Sequence, residues 1–161
     1  MSNTKGGTET DAEQVQAPEG SLLLDDQMCF ALYAAQRALT NRYRPLLEEL
    51  DLTYPQYLVM LVLWEHGALP IKTLGTLLQL DYGTLTPLLK RLQTHGLIRR
   101  ERQANDERSV QITLTAQGVE LRERARAIPA TIGEAVGLTD WEVGAVKSLL
   151  ERLTANVTSH D

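Results

Sequence analysis

A chain of 161 residues with 43% hydrophobic and 23% charged side chains suits one soluble domain with a sizeable core, not two independent ones. The longest apolar run, Tyr57 to Trp64, is too short to cross a bilayer, and the N-terminus lacks the basic and apolar regions of a signal peptide. A cytoplasmic protein with no membrane partner is therefore expected. The net charge of −5 argues against a nucleic-acid partner only until its distribution is read: Pro70 to Val110 carries seven Lys or Arg against four Asp or Glu, a local +3 that leaves −8 for the remainder.

Such a basic segment is the kind of electrostatic footprint that meets phosphate, although on charge alone an ordinary solvated face fits as well. Cys29 is the only cysteine, so a bridge can form only to another molecule or another subunit. The three histidines, His66, His95 and His160, have neither metal-ligand spacing nor a catalytic arrangement with Cys29, so no enzyme, metal or cofactor is expected.

Residues 1–20 have no apolar periodicity and read as a disordered tail, leaving residues 21–161 as a single domain. From Ser21 a helical stripe runs through Leu24, Met28, Ala31, Leu32, Ala35 and Leu39 until Arg44-Pro45 ends or bends it, and a short piece follows over Leu46 to Leu50. Thr53 and Gln56 form a capping-box signature with Pro55 in the first turn, opening a helix to about Glu65 that is apolar all round and hence buried. Two short helices follow. Ile71 to Leu78 places Leu74, Leu77 and Leu78 on one face, and Asp81 caps the next, which turns Leu85, Leu88, Leu89 and Leu92 inward and stops at His95-Gly96.

The period then changes to two. Residues 97–102 and 110–114 read as strands joined by a polar turn from Gln103 to Ser109. A charged helix from Val119 to about Ile128 follows, and a second capping box, Thr139 with Glu142, leads into Val143 to Leu153. Two helices, a turn and a hairpin after the second helix make the chain mainly α with a small β-hairpin: a winged helix-turn-helix lobe at about 53–115, with flanking helices at about 22–50 and 116–156.

A helix that enters the major groove must carry side chains that are small and polar on its outer face. Tyr82, Gly83, Thr84, Thr86, Lys90 and Arg91 provide this: the threonines for bases or phosphate, Gly83 for close approach, Lys90 and Arg91 for the backbone. At the hairpin, Asp106 can hold Arg108, and an ordered arginine suits a narrow minor groove. A partner-binding helix and a plain charged turn are the alternatives.

These residues carry a resemblance. The helix order, the wing Asp106-Glu107-Arg108-Ser109 and the run Leu114-Thr115-Ala116-Gln117-Gly118 resemble the MarR family of bacterial transcription regulators over about residues 22–156. Residues 25–33, Tyr82 to Leu92 and the wing resemble its organic hydroperoxide resistance regulators. The resemblance implies a repressor that forms a homodimer through its terminal helices and binds a pseudo-palindromic operator in double-stranded DNA. It implies further that Cys29 is the peroxide-reactive residue, attended by Tyr33, Tyr43 and Tyr54.

Geometry adds a constraint. Tyr43 lies fourteen residues after Cys29, about 21 Å along one helix, so if it serves the thiol it must come from the other subunit. Phenolic donors would favour the thiolate, which attacks an organic hydroperoxide to give sulfenic acid, and Met28, Phe30 and Leu32 would suit an organic substituent. Some members of the subgroup carry a second, resolving cysteine, which this chain lacks. Oxidation should therefore proceed through a small external thiol, or to sulfinic and sulfonic acid. The competing expectation is a repressor released by non-covalent binding of a phenolic or other small ligand.

Overall fold

In the computed structural model of the chain the described residues are 20–103 and 106–159, with side chains described outside 102–109. The tail expected over residues 1–20 lies outside them apart from Gly20. The order is a 3₁₀ turn at Leu24–Asp26, α1 at Met28–Glu48, α2 at Tyr54–His66, β1 at Leu69–Pro70, α3 at Ile71–Leu78 and α4 at Tyr82–Thr94. Then come β2 at Ile98–Gln103, β3 at Asp106–Leu114, α5 at Ala116–Ala125, α6 at Ile128–Val136 and α7 at Asp140–Thr158. Two compact units divide the chain, Met1–Ala38 and Leu39–Asp161.

The first helix differs from expectation at both ends. It starts at Met28 rather than near Ser21, after the 3₁₀ turn, and it runs through Pro45 to Glu48 without a separate second piece. A proline inside a helix costs about 3 kcal/mol, but Leu47 and Leu50 beyond it are buried, and a buried leucine contributes roughly 1.5–3 kcal/mol. Packing therefore outweighs the missing N–H. The stop comes instead at Asp51, left-handed at φ 55, where Asp51 N donates to Glu48 O and Leu52 N to Leu47 O.

Both capping boxes form, Thr53 with Gln56 and Thr139 with Glu142. In α2, Tyr57, Val59, Met60 and Leu63 are buried against Leu74 of α3 and Leu85, Leu89 and Leu92 of α4. The turn between α3 and α4 is closed by Gln79 in the left-handed region, with Leu80 N donating to Gly75 O at 2.9 Å. Beyond α4, Gly96 at φ 72 ends the helix in the same way, with Leu97 N on Leu92 O.

The sheet has three strands rather than two, in the order β1-β3-β2, with Leu69 opposite Ile112 and Ile98 opposite Leu114. Two residues containing a proline gave no period-two signal, which is why β1 is invisible in the sequence. The turn expected over residues 103–109 is also shorter. Gln103 pairs with Asp106 across a register irregularity, so Asp106 and Arg108 have strand backbone in β3, whereas their polar neighbours suggested a loop.

At the base of the wing the chain is stitched to α5. Thr115 N donates to Leu97 O, the Thr115 hydroxyl donates to Gly96 O at 2.6 Å, and Gly118 N donates to the same hydroxyl at 3.0 Å. The Trp64 indole N–H of α2 donates to Gly118 O at 2.8 Å. Gly118 allows this approach because a Cβ there would sit 2.1 Å from Leu97 O.

Candidate DNA interface and redox site

The reading face of α4 is fixed by its cap. Asp81 accepts from Thr84 N at 2.7 Å and from the Thr84 hydroxyl at 2.8 Å. The Thr84 backbone N–H, followed by its hydroxyl, holds the Asp81 carboxyl below the usual carboxylate value. Tyr82, Gly83, Thr84, Lys90 and Arg91 are exposed, while Thr86 is half-buried and donates its hydroxyl to Tyr82 O at 2.7 Å. A carboxylate and a carbonyl can only accept, so both threonine protons are donated to the helix and its cap, and each hydroxyl oxygen keeps its capacity to accept. Pro87 leaves α4 unbroken.

Beside this helix, Arg100 of β2 donates from Nη2 to Thr86 O at 3.2 Å. Its side chain lies partly inside the lobe rather than with the solvated cations to which its charge assigned it. The backbones of Asp106 and Arg108 lie in β3; their side chains fall outside those described.

The thiol of Cys29 is exposed in the first turn of α1. Tyr33 lies one turn further on and is engaged by Arg37, whose Nη1 donates to the Tyr33 hydroxyl at 3.3 Å and whose guanidinium carbon lies 5.6 Å from the ring centroid. An oxygen that accepts from arginine keeps its own O–H free to donate. Arg37 did not stand out in the sequence, although its i+4 spacing from Tyr33 was readable.

In the second unit Tyr43 and Tyr54 come together, with ring centroids 4.7 Å apart, and Tyr57 joins them 6.0 Å from Tyr43. Burial, followed by the neighbouring phenols, pushes Tyr43 above the usual tyrosine value. Burial and Tyr54 do the same to Tyr57, so both stay protonated donors through neutral pH. Tyr57 opens the apolar run of α2, and its phenol neighbours are visible only in the packing of α1 against α2. A cleft of about 610 Å³ lies between α2 and α5, with Tyr57, Leu61, Trp64, Arg122 and Arg126 on its walls. Among the described residues no cluster of three or more His, Cys, Asp or Glu could hold a metal ion, and no helix is long and apolar enough to cross a membrane.

A buried helix, a helix-turn-helix whose second helix has a polar outer face, and a two-stranded wing after it define a winged-helix regulator of transcription that binds DNA. The transcriptional regulator SarA/Rot family matches residues 41–125. The organic hydroperoxide resistance transcriptional regulator of Bacillus subtilis is 55% identical over 109 residues, covering 68% of this chain and 74% of that one. The transcriptional regulator TtmR of Methylorubrum extorquens is 53% identical over 82% of this chain and 66% of its own length. Among solved structures, reduced AbfR bound to DNA is 36% identical with a TM-score of 0.72, over 84% of this chain and 94% of that one; AbfR is from Staphylococcus epidermidis. Disulfide-formed AbfR gives 0.58 over 84% and 90%, and AbfR has also been solved overoxidised and bound to DNA. The chain belongs to the MarR family of transcription regulators, among its organic hydroperoxide resistance regulators, and the relatives named here are regulators and not enzymes.

Proposed function

We infer that the protein is a peroxide-sensing repressor in which oxidation of Cys29 by an organic hydroperoxide releases the operator. The observation that carries this reading is the exposed thiol in the first turn of α1 with the arginine-held Tyr33 one turn away. Tyr43, protonated, and Tyr54, whose ring is tilted against it, supply further phenols; the fourteen-residue spacing of Tyr43 from Cys29 along α1 assigns this pair to the Cys29 of a second copy. Hydrogen bonds to sulfur favour thiolate over thiol.

The thiolate attacks the distal peroxide oxygen, the O–O bond breaks, and the leaving alkoxide takes a proton to depart as the alcohol. Cys29 is then a sulfenic acid. A small external thiol condenses with it, releasing water and leaving a mixed disulfide. This adduct, rather than sulfinic or sulfonic acid, is the releasing species, in keeping with overoxidised AbfR being DNA-bound.

The homodimer is supported by apolar surface at both chain ends. Helix α7 buries none of its 19 residues, leaving Trp141, Val146, Leu149 and Leu150 exposed, and Leu22, Leu23 and Met28 are exposed before and in α1. In such a dimer Tyr82, Gly83, Thr84, Thr86, Lys90 and Arg91 meet the major groove, and the wing residues Asp106 and Arg108 serve the minor groove. The threonines accept from exocyclic amines of adenine or cytosine. Residues 53–115 serve as the reading lobe, and residues 22–50 and 116–156 as dimerising helices.

The cleft beside Trp64, with Tyr57, Glu65, Arg122 and Arg126 on its walls, favours one other reading, release by a phenolic or other small ligand bound without covalent change. Gel-shift titration of the upstream region of its own gene with an organic hydroperoxide plus a small thiol separates the two. For a redox repressor, Cys29→Ser binds but no longer releases; for a ligand-responsive one, the substitution changes nothing.

A further inference from the structure

We propose that Arg100 is a positioning residue for operator recognition, bracing the wing against the recognition helix without itself touching DNA; this rests on the reading of α4 and the wing given above. Side chains alternate along β2: Arg99 and Glu101 are exposed, while Arg100 turns inward, its Cα opposite the fully buried Ile112. From there its guanidinium crosses to α4, and Nη2 donates to the Thr86 carbonyl at 3.2 Å. That carbonyl sits immediately before Pro87, at a place where the helix already lacks one N–H. A charge-assisted bond at this point fixes the angle between the strand that leads into the wing and the helix that enters the groove.

The other end of the guanidinium shows that stability alone does not account for the residue. Arg100 Nε is enclosed with no hydrogen-bond partner among the described residues. A buried donor without a partner is destabilising, so an apolar side chain would serve the core of the lobe better. What an apolar side chain could not do is grip Thr86 O. Alignment of wing and helix matters because major-groove and minor-groove contacts are made together only if both elements are held in one register along the duplex.

Arg100→Gln keeps most of the side-chain length and removes the charge. Binding would be read by fluorescence anisotropy on the operator and on unrelated duplex across a salt series, together with a double-mutant cycle against Arg108→Ala. A brace predicts about tenfold weaker operator binding, unrelated-duplex affinity within about twofold, and an unchanged salt slope. It also predicts that Arg108→Ala costs less in the Arg100→Gln background than alone, because an unbraced wing has already lost its contact. A salt slope reduced by about one, with both duplexes weakened together, would make Arg100 a phosphate contact and overturn the proposal. Additive losses would also overturn it. If Arg108→Ala alone has no effect, the wing reading fails separately, and the operator-to-unrelated ratio of Arg100→Gln still decides: an unchanged ratio refutes the brace.

Discussion

Replacing Gly118 by alanine should destabilise the protein by about 3 kcal/mol, although alanine is the better helix former by about 1 kcal/mol. The Cβ would lie 2.1 Å from Leu97 O and 3.2 Å from Leu114 Cδ2, and separations under 3.0 Å are essentially never seen for real Cβ atoms. Backbone at the start of α5 must therefore retreat by about 1 Å. Three hydrogen bonds at Thr115 and the one from Trp64 meet at this joint, and each contributes about 1 kcal/mol net. Losing about half of them, with overpacking of roughly 1–3 kcal/mol and the propensity gain set against it, leaves a net loss of about 3 kcal/mol. In a chain of this length that lowers Tm by about 10 °C. Urea unfolding followed by circular dichroism reads it directly, as a lower midpoint at unchanged slope. Operator binding should weaken too, since the same joint ties the end of α4 to α5. A Gly118→Ala protein as stable as the parent, or more so, would refute the close approach at Leu97 O.

Asp81 has its carboxyl held below its unfolded value, so its contribution to stability is present above that value and is lost as pH falls through the folded one. The urea-midpoint difference between the parent and Asp81→Ala should be constant near neutrality and close in acid; a difference that persists below the carboxylate range would count against the cap. Leu149→Arg with Leu150→Arg on α7, both at exposed positions, should convert a dimer to a monomer in sedimentation velocity and abolish operator binding; an unchanged dimer would remove α7 from the interface. Tyr43→Phe should slow the reaction of Cys29 with an organic hydroperoxide about tenfold in stopped-flow thiol titration, as expected for one lost hydrogen bond to a charged group, while leaving operator binding of the reduced protein intact. An unchanged rate would exclude Tyr43 from the site.

The parts of the fold legible in the sequence are those whose cause is local. Thr53 with Gln56, Asp81 with Thr84 and Thr139 with Glu142 lie three residues apart and satisfy their own helix ends, so their pattern is readable without a fold. Where the deciding contact is distant, reading failed. Pro45 stays helical because Leu47 and Leu50 are buried by other elements. Leu69–Pro70 becomes a strand because Ile112 and Gln111 lie beside it, and Arg100, one of the seven basic residues between Pro70 and Val110, turns inward to Thr86 O. Gly118 stood out only through resemblance; Leu97 O supplies the reason that a side chain cannot be there.

For the redox site, the sequence placed Cys29 and Tyr33 on one helix and left the remaining phenols to resemblance. Packing then added what no spacing could: Tyr57 beside Tyr43, and Arg37 holding Tyr33.

The central claim, that the state of one thiol sets operator occupancy, is tested most directly by titrating the operator complex with an organic hydroperoxide in the presence of a small thiol. The same samples would be read by gel shift and by intact-protein mass spectrometry. The account predicts that bound operator falls in step with the mass of a thiol adduct at Cys29, and that Cys29→Ser shows neither change. Release with Cys29 unmodified, or full modification of Cys29 with the operator still bound, would contradict it.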